Sequence, residues 1–161
     1  LVETGVRFVQ VNRGGFDTHS NNFPAMQNHG DVMDPALASL IEDLSKTGML
    51  KKTMVIMLSE FGRTPRINSQ KGTDSKVVQP GRDHYPAAMS VLVAGGGMQT
   101  GQVVGSTTAR GEHPKDRRLD PNDLLATVYR HLGIDSQKRT PDASGRPAPL
   151  IPHGEPIVEL L

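Results

Sequence analysis

The spacing of apolar positions along the chain predicts several β-strands. Residues 6–12 are rich in β-branched and aromatic types, which favours a strand. Residues 53–59 and 88–94 are continuous apolar runs, a pattern typical of strands that are covered on both faces in a parallel sheet. Residues 101–107 are predicted to form a further short strand, although their apolar pattern is weaker. The sequence therefore predicts four strands, at least two of them buried.

Two further segments have the apolar stripe of an amphipathic helix. In the first, Asp34 is the predicted N-cap, Pro35 takes the first helical position and Gly48 ends the helix. The second helix is predicted over residues 121–132, with Asp120 as its cap. Each stripe repeats at positions i, i+3, i+4 and i+7 or close to them, so one face of each helix is expected to pack against other elements.

The order of these elements predicts an α/β fold. Strand, helix, two buried strands and a helix is the succession found in layered α/β sheets, where ligands bind beyond the carboxyl ends of the strands. The polar segment 61–86 is predicted to be a long loop. We expect one domain over residues 1–135 and a tail rich in Pro and Gly over 136–161, with a short edge strand in its last residues.

Composition excludes several classes of function. The net charge of +1, from 18 basic and 17 acidic residues, gives no general attraction to nucleic acid. The absence of cysteine excludes disulfides, thiolate metal sites and Cys nucleophiles. No apolar run approaches the roughly 20 residues of a membrane span. The chain starts at Leu1 and enters strand-like sequence at once, so we expect the natural N-terminus to be missing.

Three short segments could carry chemistry: GFDTHS at 15–20, SEFGRTP at 59–65 and GRDHYP at 81–86. Asp17 and His19 are two residues apart, so in an extended stretch their side chains point to the same face. A carboxylate oxygen and an imidazole nitrogen could then share a Zn, Mn or Fe ion. The alternative is a solvated loop with only local hydrogen bonds.

Glu60 and His84 are the other candidate ligands. Glu60 follows a buried strand, where a carboxylate must be paired, protonated or metal-bound, and the alternative to a metal is an ion pair with Arg63 or Arg66. The guanidinium of Arg63 would suit a sulfate or phosphate group. Asp83 could orient His84 or act as a ligand itself. The remaining histidines have no comparable partners in the sequence: His29, His113, His131 and His153.

Five motifs, in order, resemble those of a bacterial sulfatase-like family catalogued as domain of unknown function 1501. They are GFDTHSNNF, SKTGMLKKT, VIMLSEFGRTPRIN, GRDHYPAAMSVLVAGGGMQTGQVVGST and DPNDLLATVYRHLGID, and they cover about residues 5–135. That family is similar to the alkaline phosphatase–sulfatase superfamily. The resemblance implies a three-layer α/β/α sandwich with a mostly parallel sheet, of which this chain would be the C-terminal portion, and a two-metal site at the strand ends.

The resemblance also assigns roles to residues. Asp17 and His19 resemble a ligand pair, Glu60 an acidic ligand and His84 a late histidine ligand. The chain departs from the phosphatase pattern in the close spacing of the first pair and in Phe61, which stands where phosphatases carry His. The superfamily's nucleophile and first metal-binding Asp come from an N-terminal half that has no counterpart here.

The function implied is a metal-dependent hydrolase of sulfate or phosphate esters, with divalent metal ions (Zn, Mn or Ca/Mg) as cofactors. Arg63 would hold the anionic group and Asp83 would assist. The substrate would be a small-molecule or polysaccharide ester, the location periplasmic or secreted, and the chain alone is expected to show little turnover. A non-catalytic metal-binding or cell-surface module, and a phosphomutase-like enzyme, stay open as alternatives.

Overall fold

The computed structural model describes residues 1–71 and 77–161, and the chain divides into two compact units. The first unit comprises Leu1–Val32 and Arg66–Asp83, and the second comprises Met33–Pro65 and His84–Leu161. Part of the predicted loop at 61–86, residues 72–76, lies outside the described residues. Among the described residues, no helix has the length and apolar character that crossing a membrane requires.

The two predicted helices are present, but only one begins where the sequence predicts. Helix α1 spans Asn22–Lys46 and contains Pro35 in its interior, so the predicted start at Asp34 is wrong. Proline there removes one backbone hydrogen bond without ending the helix. Helix α2 spans Pro121–His131, as predicted. The left-handed backbone at Gly48 (φ 72°) and Gly133 (φ 72°) agrees with their predicted place after a helix.

The strands form two-stranded antiparallel sheets. They are Met54–Met57 (β1) with Leu92–Gly95 (β4), Gly62–Arg63 (β2) with His84–Tyr85 (β3), and Arg139–Pro141 (β5) with Pro147–Pro149 (β6). The predicted apolar runs are seen as β1 and β4, in shortened form. The predicted strand at 101–107 has only a single bridge, from Thr107 to Pro114.

The prediction of a three-layer α/β/α sandwich with a mostly parallel sheet is wrong. Every ladder in the described part of the chain is antiparallel and two strands wide. Residues 6–12 are not assigned to a strand, and Phe8 and Val11 are 69% and 88% exposed. An apolar run predicts burial but not its partner or direction. Here the β1 backbone pairs with β4 in the opposite direction, and all four β1 residues are only half-buried.

The C-terminal segment packs against α2 in the second unit. Ile151 and Ile157 are buried, together with Ala126 of the helix. The backbone N–H of Ile157 donates to the hydroxyl of Thr127, which is fully buried and donates in turn to the carbonyl of Asp123. The predicted edge strand at the end of the chain is instead a 3-10 helix at Val158–Leu160.

Asp120 fixes the start of α2. Its carboxylate accepts the backbone N–H groups of Asn122 and Asp123, and the Asp123 carboxylate accepts the N–H of Asp120, which completes a capping box. His153 of the C-terminal segment lies 3.0 Å from the same carboxylate. Partial burial acts to raise the pKa of Asp120, but the backbone hydrogen bonds and His153 outweigh it and lower that pKa.

Candidate functional site

His19 lies between two carboxylates in the first unit. Its Nε2 is 3.0 Å from Oδ1 of Asp17, and its Nδ1 is 2.7 Å from Oδ1 of Asp83. The three side chains are partly open to solvent, with exposed fractions of 38% for His19, 68% for Asp17 and 45% for Asp83. The fold therefore brings together two of the predicted segments, although His19 and Asp83 are 64 residues apart in the chain.

The chemistry of the imidazole ring limits how both contacts can be satisfied. A neutral ring carries one N–H, so it can donate to only one of the two carboxylates, whereas a ring with two protons can donate to both. In the neutral ring the other contact sets a ring lone pair against a carboxylate oxygen unless a cation lies between them. A metal ion at Nε2, with the Nδ1–H donating to Asp83, satisfies both sides. Carboxylate–histidine–metal triads have this order.

The donor set of Asp17 and His19 fits a divalent metal. Ligand bonds of about 2.0–2.2 Å from one ion to nitrogen and oxygen imply about 2.8–3.1 Å between neighbouring ligand atoms in octahedral coordination, and about 3.3–3.6 Å in tetrahedral coordination. The observed 3.0 Å between Oδ1 of Asp17 and Nε2 of His19 lies in the octahedral range. Both residues belong to a group of carboxylate and imidazole side chains that could hold a metal ion.

Close backbone packing positions this cluster. The carbonyl of Thr18 accepts the N–H of Arg82 at 3.3 Å, so the two segments that supply the cluster run side by side. Gly81 is buried against them, and a Cβ on it would lie 2.1 Å from the carbonyl oxygen of His19. Only glycine fits there. The Thr18 hydroxyl is directed away, donating to Oδ1 of Asn22 at 2.6 Å.

Asn68 contacts the cluster of Asp17, His19 and Asp83, and the motifs described above do not single it out. Its Nδ2 donates to Oδ1 of Asp83 at 3.2 Å and to the carbonyl of His19 at 2.9 Å. An asparagine in a polar loop has no signal in the sequence that separates it from a turn residue. The only hint is its position at the end of the quoted motif VIMLSEFGRTPRIN.

The second unit holds the other predicted residues. Arg63 of β2 is directly opposite His84 of β3, so their side chains share one face of the ladder. The ring of Phe61 lies 4.5 Å from the ring of His84, tilted by 49°. A Cβ on Gly62 would lie 1.9 Å from the carbonyl oxygen of Ala88, so glycine is needed in β2. A cationic and an imidazole group are thus paired across two short strands.

The exposure and position of Glu60 differ from those expected from the sequence. It is exposed, at a bend three residues after β1 ends, and not at the mouth of a buried strand. The argument that burial forces this carboxylate into a pair or onto a metal is therefore wrong. A role for Glu60 as a ligand stays a prediction from the resemblance alone.

Two of the other histidines have specific partners, contrary to prediction. Nε2 of His29 lies 2.8 Å from the carbonyl of Gly15, its ring stacks on Phe16 at 4.1 Å, and Arg13 donates to Nδ1. His153 contacts the α2 cap, as described above. His29 is thus held against a loop and His153 against the start of α2. These contacts give both residues a structural role.

Asp17 and His19 thus belong to a group of side chains that could hold a metal ion, and Asp83 contacts the other ring nitrogen of His19. The chain belongs to the family described as protein of unknown function (DUF1501), whose model matches residues 1–161. This confirms the family predicted from the motifs. No curated protein and no solved structure matches the chain.

Proposed function

We propose that this chain provides metal-binding and anion-binding groups of a hydrolase for sulfate or phosphate esters. Asp17 and His19 are the proposed metal ligands in the first unit, and Asp83 holds the proton on Nδ1 of His19. Glu60 and His84 are proposed as further ligands, following the sulfatase-like motifs. The guanidinium of Arg63 is proposed to bind the anionic group of the ester.

One observation carries this proposal: both ring nitrogens of His19 face carboxylate oxygens, at 3.0 Å and 2.7 Å. A divalent metal bound beside Asp17 would supply a Lewis acid that polarises an ester oxygen. Each residue of the proposed site then has a separate role. Asp17 and His19 bind, Asp83 orients the ring, and Arg63 neutralises the negative charge of the sulfate or phosphate group.

A non-catalytic metal-binding module is the second candidate, because Thr18 offers no nucleophile to the cluster and a hydrolase would need one from elsewhere. Thr18 stands between the two proposed ligands, but its hydroxyl is buried and donates to Asn22. That hydroxyl is not directed toward an ester at the cluster. A binding module would need the metal ligands but no site for the product anion, and this difference separates the two candidates.

The two candidates are tested by measuring metal binding and product-anion binding on the same sample. The full chain is titrated with Zn²⁺ or Mn²⁺ by calorimetry, and the loaded chain is then titrated with inorganic sulfate and phosphate. The hydrolase proposal expects metal binding that Asp17→Asn removes and Asp34→Asn, on the exposed face of α1, retains.

It also expects anion binding that Arg63→Gln weakens by at least tenfold, while Arg139→Gln on exposed β5 does not. Metal binding without any anion binding would favour the module instead. A chain that binds neither metal would refute both candidates. Hydrolysis of p-nitrophenyl sulfate and phosphate is measured in parallel, and turnover that depends on Asp17 would support the hydrolase directly.

A further inference from the structure

We propose that Asn68 is a positioning residue that fixes the carboxylate of Asp83 against His19, and so sets which ring nitrogen of His19 is available to a metal. This inference rests on the proposed function, since it concerns the same site. All the residues in the argument lie in the first unit.

The orientation of the Asn68 amide is fixed by its acceptor side. Its Oδ1 accepts the backbone N–H of Gly81 at 2.9 Å and that of Gln70 at 3.2 Å. The backbone N–H of Asn68 also donates to the carbonyl of Gly81, at 2.9 Å. Because two N–H donors point at Oδ1, the amide nitrogen must face the opposite way.

The donor side of the amide then reaches the proposed site. Nδ2 donates one hydrogen to the carbonyl of His19 at 2.9 Å and the other to Oδ1 of Asp83 at 3.2 Å. The side chain thereby uses both of its donors and both acceptor positions, which is the full capacity of a primary amide. Asn68 is half-buried, and its bonds to His19, Asp83 and Gly81 are partly shielded from water.

The contact between Asn68 and Asp83 affects the orientation of the His19 ring. Oδ1 of Asp83 is held by Asn68 and also lies 2.7 Å from Nδ1 of His19, so it is fixed as an acceptor for an Nδ1–H. With the proton on Nδ1, the lone pair of Nε2 is directed to the side of Asp17. Partners that orient a metal-binding histidine in this way typically contribute 10- to 100-fold to metal affinity.

Asn68→Asp tests this role because it keeps the shape of the side chain and changes one atom. The substitution retains an oxygen for Gly81 and Gln70 but replaces the amide donor with a second oxygen facing Asp83. Repulsion between the two carboxylates should turn Asp83 away from His19. We expect Zn²⁺ affinity to fall by about 10- to 100-fold. Asn28→Asp, at an exposed position of α1, is the matched control and should retain affinity within twofold.

A second measurement reports on the ring itself. The ¹⁵N chemical shifts of the His19 ring show which nitrogen carries the proton. We expect the Nδ1–H form in the wild-type chain and in Asn28→Asp, and loss of that preference in Asn68→Asp. Asn68→Ala removes the donor without adding a charge, and it is measured alongside in case Asn68→Asp does not fold.

A double-mutant cycle separates positioning from general support of the fold. If Asn68 acts through Asp83, Asn68→Asp should cost no further affinity in a chain that already carries Asp83→Asn. Unchanged Zn²⁺ affinity and an unchanged ring pattern in Asn68→Asp would overturn the inference while the proposed function stands. Failure of the wild-type chain to bind Zn²⁺ would instead overturn the proposed function, and this inference with it.

Discussion

Gly81→Ala is the substitution whose effect the structure defines most sharply. A Cβ at residue 81 would lie 2.1 Å from the carbonyl oxygen of His19, 2.2 Å from its carbonyl carbon and 2.6 Å from the N of Ser20. Reaching even a tight contact of 3.0 Å requires a shift of 0.9 Å, the difference between 3.0 and 2.1 Å. The atoms in the way are backbone, so no side chain can rotate to make room.

The expected fall in the free energy of unfolding follows from the hydrogen bonds that such a shift breaks. The carbonyl and N–H of Gly81 both bond to Asn68, and the neighbouring Arg82 N–H bonds to the carbonyl of Thr18. Losing two such bonds costs about 1–3 kcal/mol in net stability. Overpacking in well-packed regions costs about 1–3 kcal/mol. The two effects overlap, so we expect the free energy of unfolding to fall by about 2–4 kcal/mol.

The assay is urea unfolding followed by amide NMR signals, because the chain has no tryptophan to report by fluorescence. The signals of Thr18 and Asn22 report on the first unit, where both are buried. Gly14→Ala is the matched control, since a Cβ there meets nothing within 4 Å. A loss below about 0.5 kcal/mol in Gly81→Ala, similar to the control, would refute the close approach of the two segments.

Four further predictions concern the second unit and the proposed metal site. Gly62→Ala should disrupt the β2–β3 pairing, because its Cβ would lie 1.9 Å from the carbonyl oxygen of Ala88, and loss of hydrogen-exchange protection at Tyr85 would show it. Asp120→Ala should destabilise the second unit by about 1 kcal/mol through loss of the α2 cap, measured by urea unfolding with Ser39→Ala as control. The pKa of Asp120 is lowered in the folded chain, so its ionised carboxylate stabilises the fold fully above the unfolded pKa of about 3.9. That stabilisation is lost as the pH falls through the folded pKa. The free energy of unfolding below about pH 4 should therefore depend less on pH in Asp120→Asn. Metal in 100-fold excess over its Kd should stabilise the chain by about 2.7 kcal/mol, and EDTA should reverse this; a stabilisation that persists in Asp17→Asn would count against the site.

Helix α2 was predictable because its signals are local. Asp120, Pro121 and Gly133 act within a few residues of the helix ends, and the structure uses each as the sequence indicates. The start of α1 was not predictable in this way. Asp34 and Pro35 form a good N-terminal signal, but the chain is already helical from Asn22, and a single proline does not end the helix.

The sheet could not be derived, because strand pairing depends on residues far apart in the chain. The apolar runs correctly predicted extended structure at β1 and β4. They carry no information on direction, and the antiparallel register of Val55 with Ala94 is visible only in the folded chain. The expectation of a parallel sheet came from assuming that the apolar runs at 53–59 and 88–94 are covered on both faces. That assumption fails, because the residues of β1 are only half-buried and Leu92 of β4 is exposed.

The candidate site was predictable in part. The types and spacing of Asp17 and His19, together with the motif containing Asp83, identified three side chains that the first unit brings together. Glu60 was chosen for a burial that it does not have. Asn68 was missed because its importance lies in four hydrogen bonds to residues that only the folded chain brings near it.

The most direct test of metal binding by this cluster is X-ray absorption at the zinc edge of the loaded chain. The shape of the spectrum reports how many imidazole rings surround the ion. We predict a shell of mixed nitrogen and oxygen atoms that loses one imidazole in His19→Ala and is unchanged in His113→Ala, an exposed control. A spectrum that is the same in the wild-type chain and in His19→Ala would contradict the account.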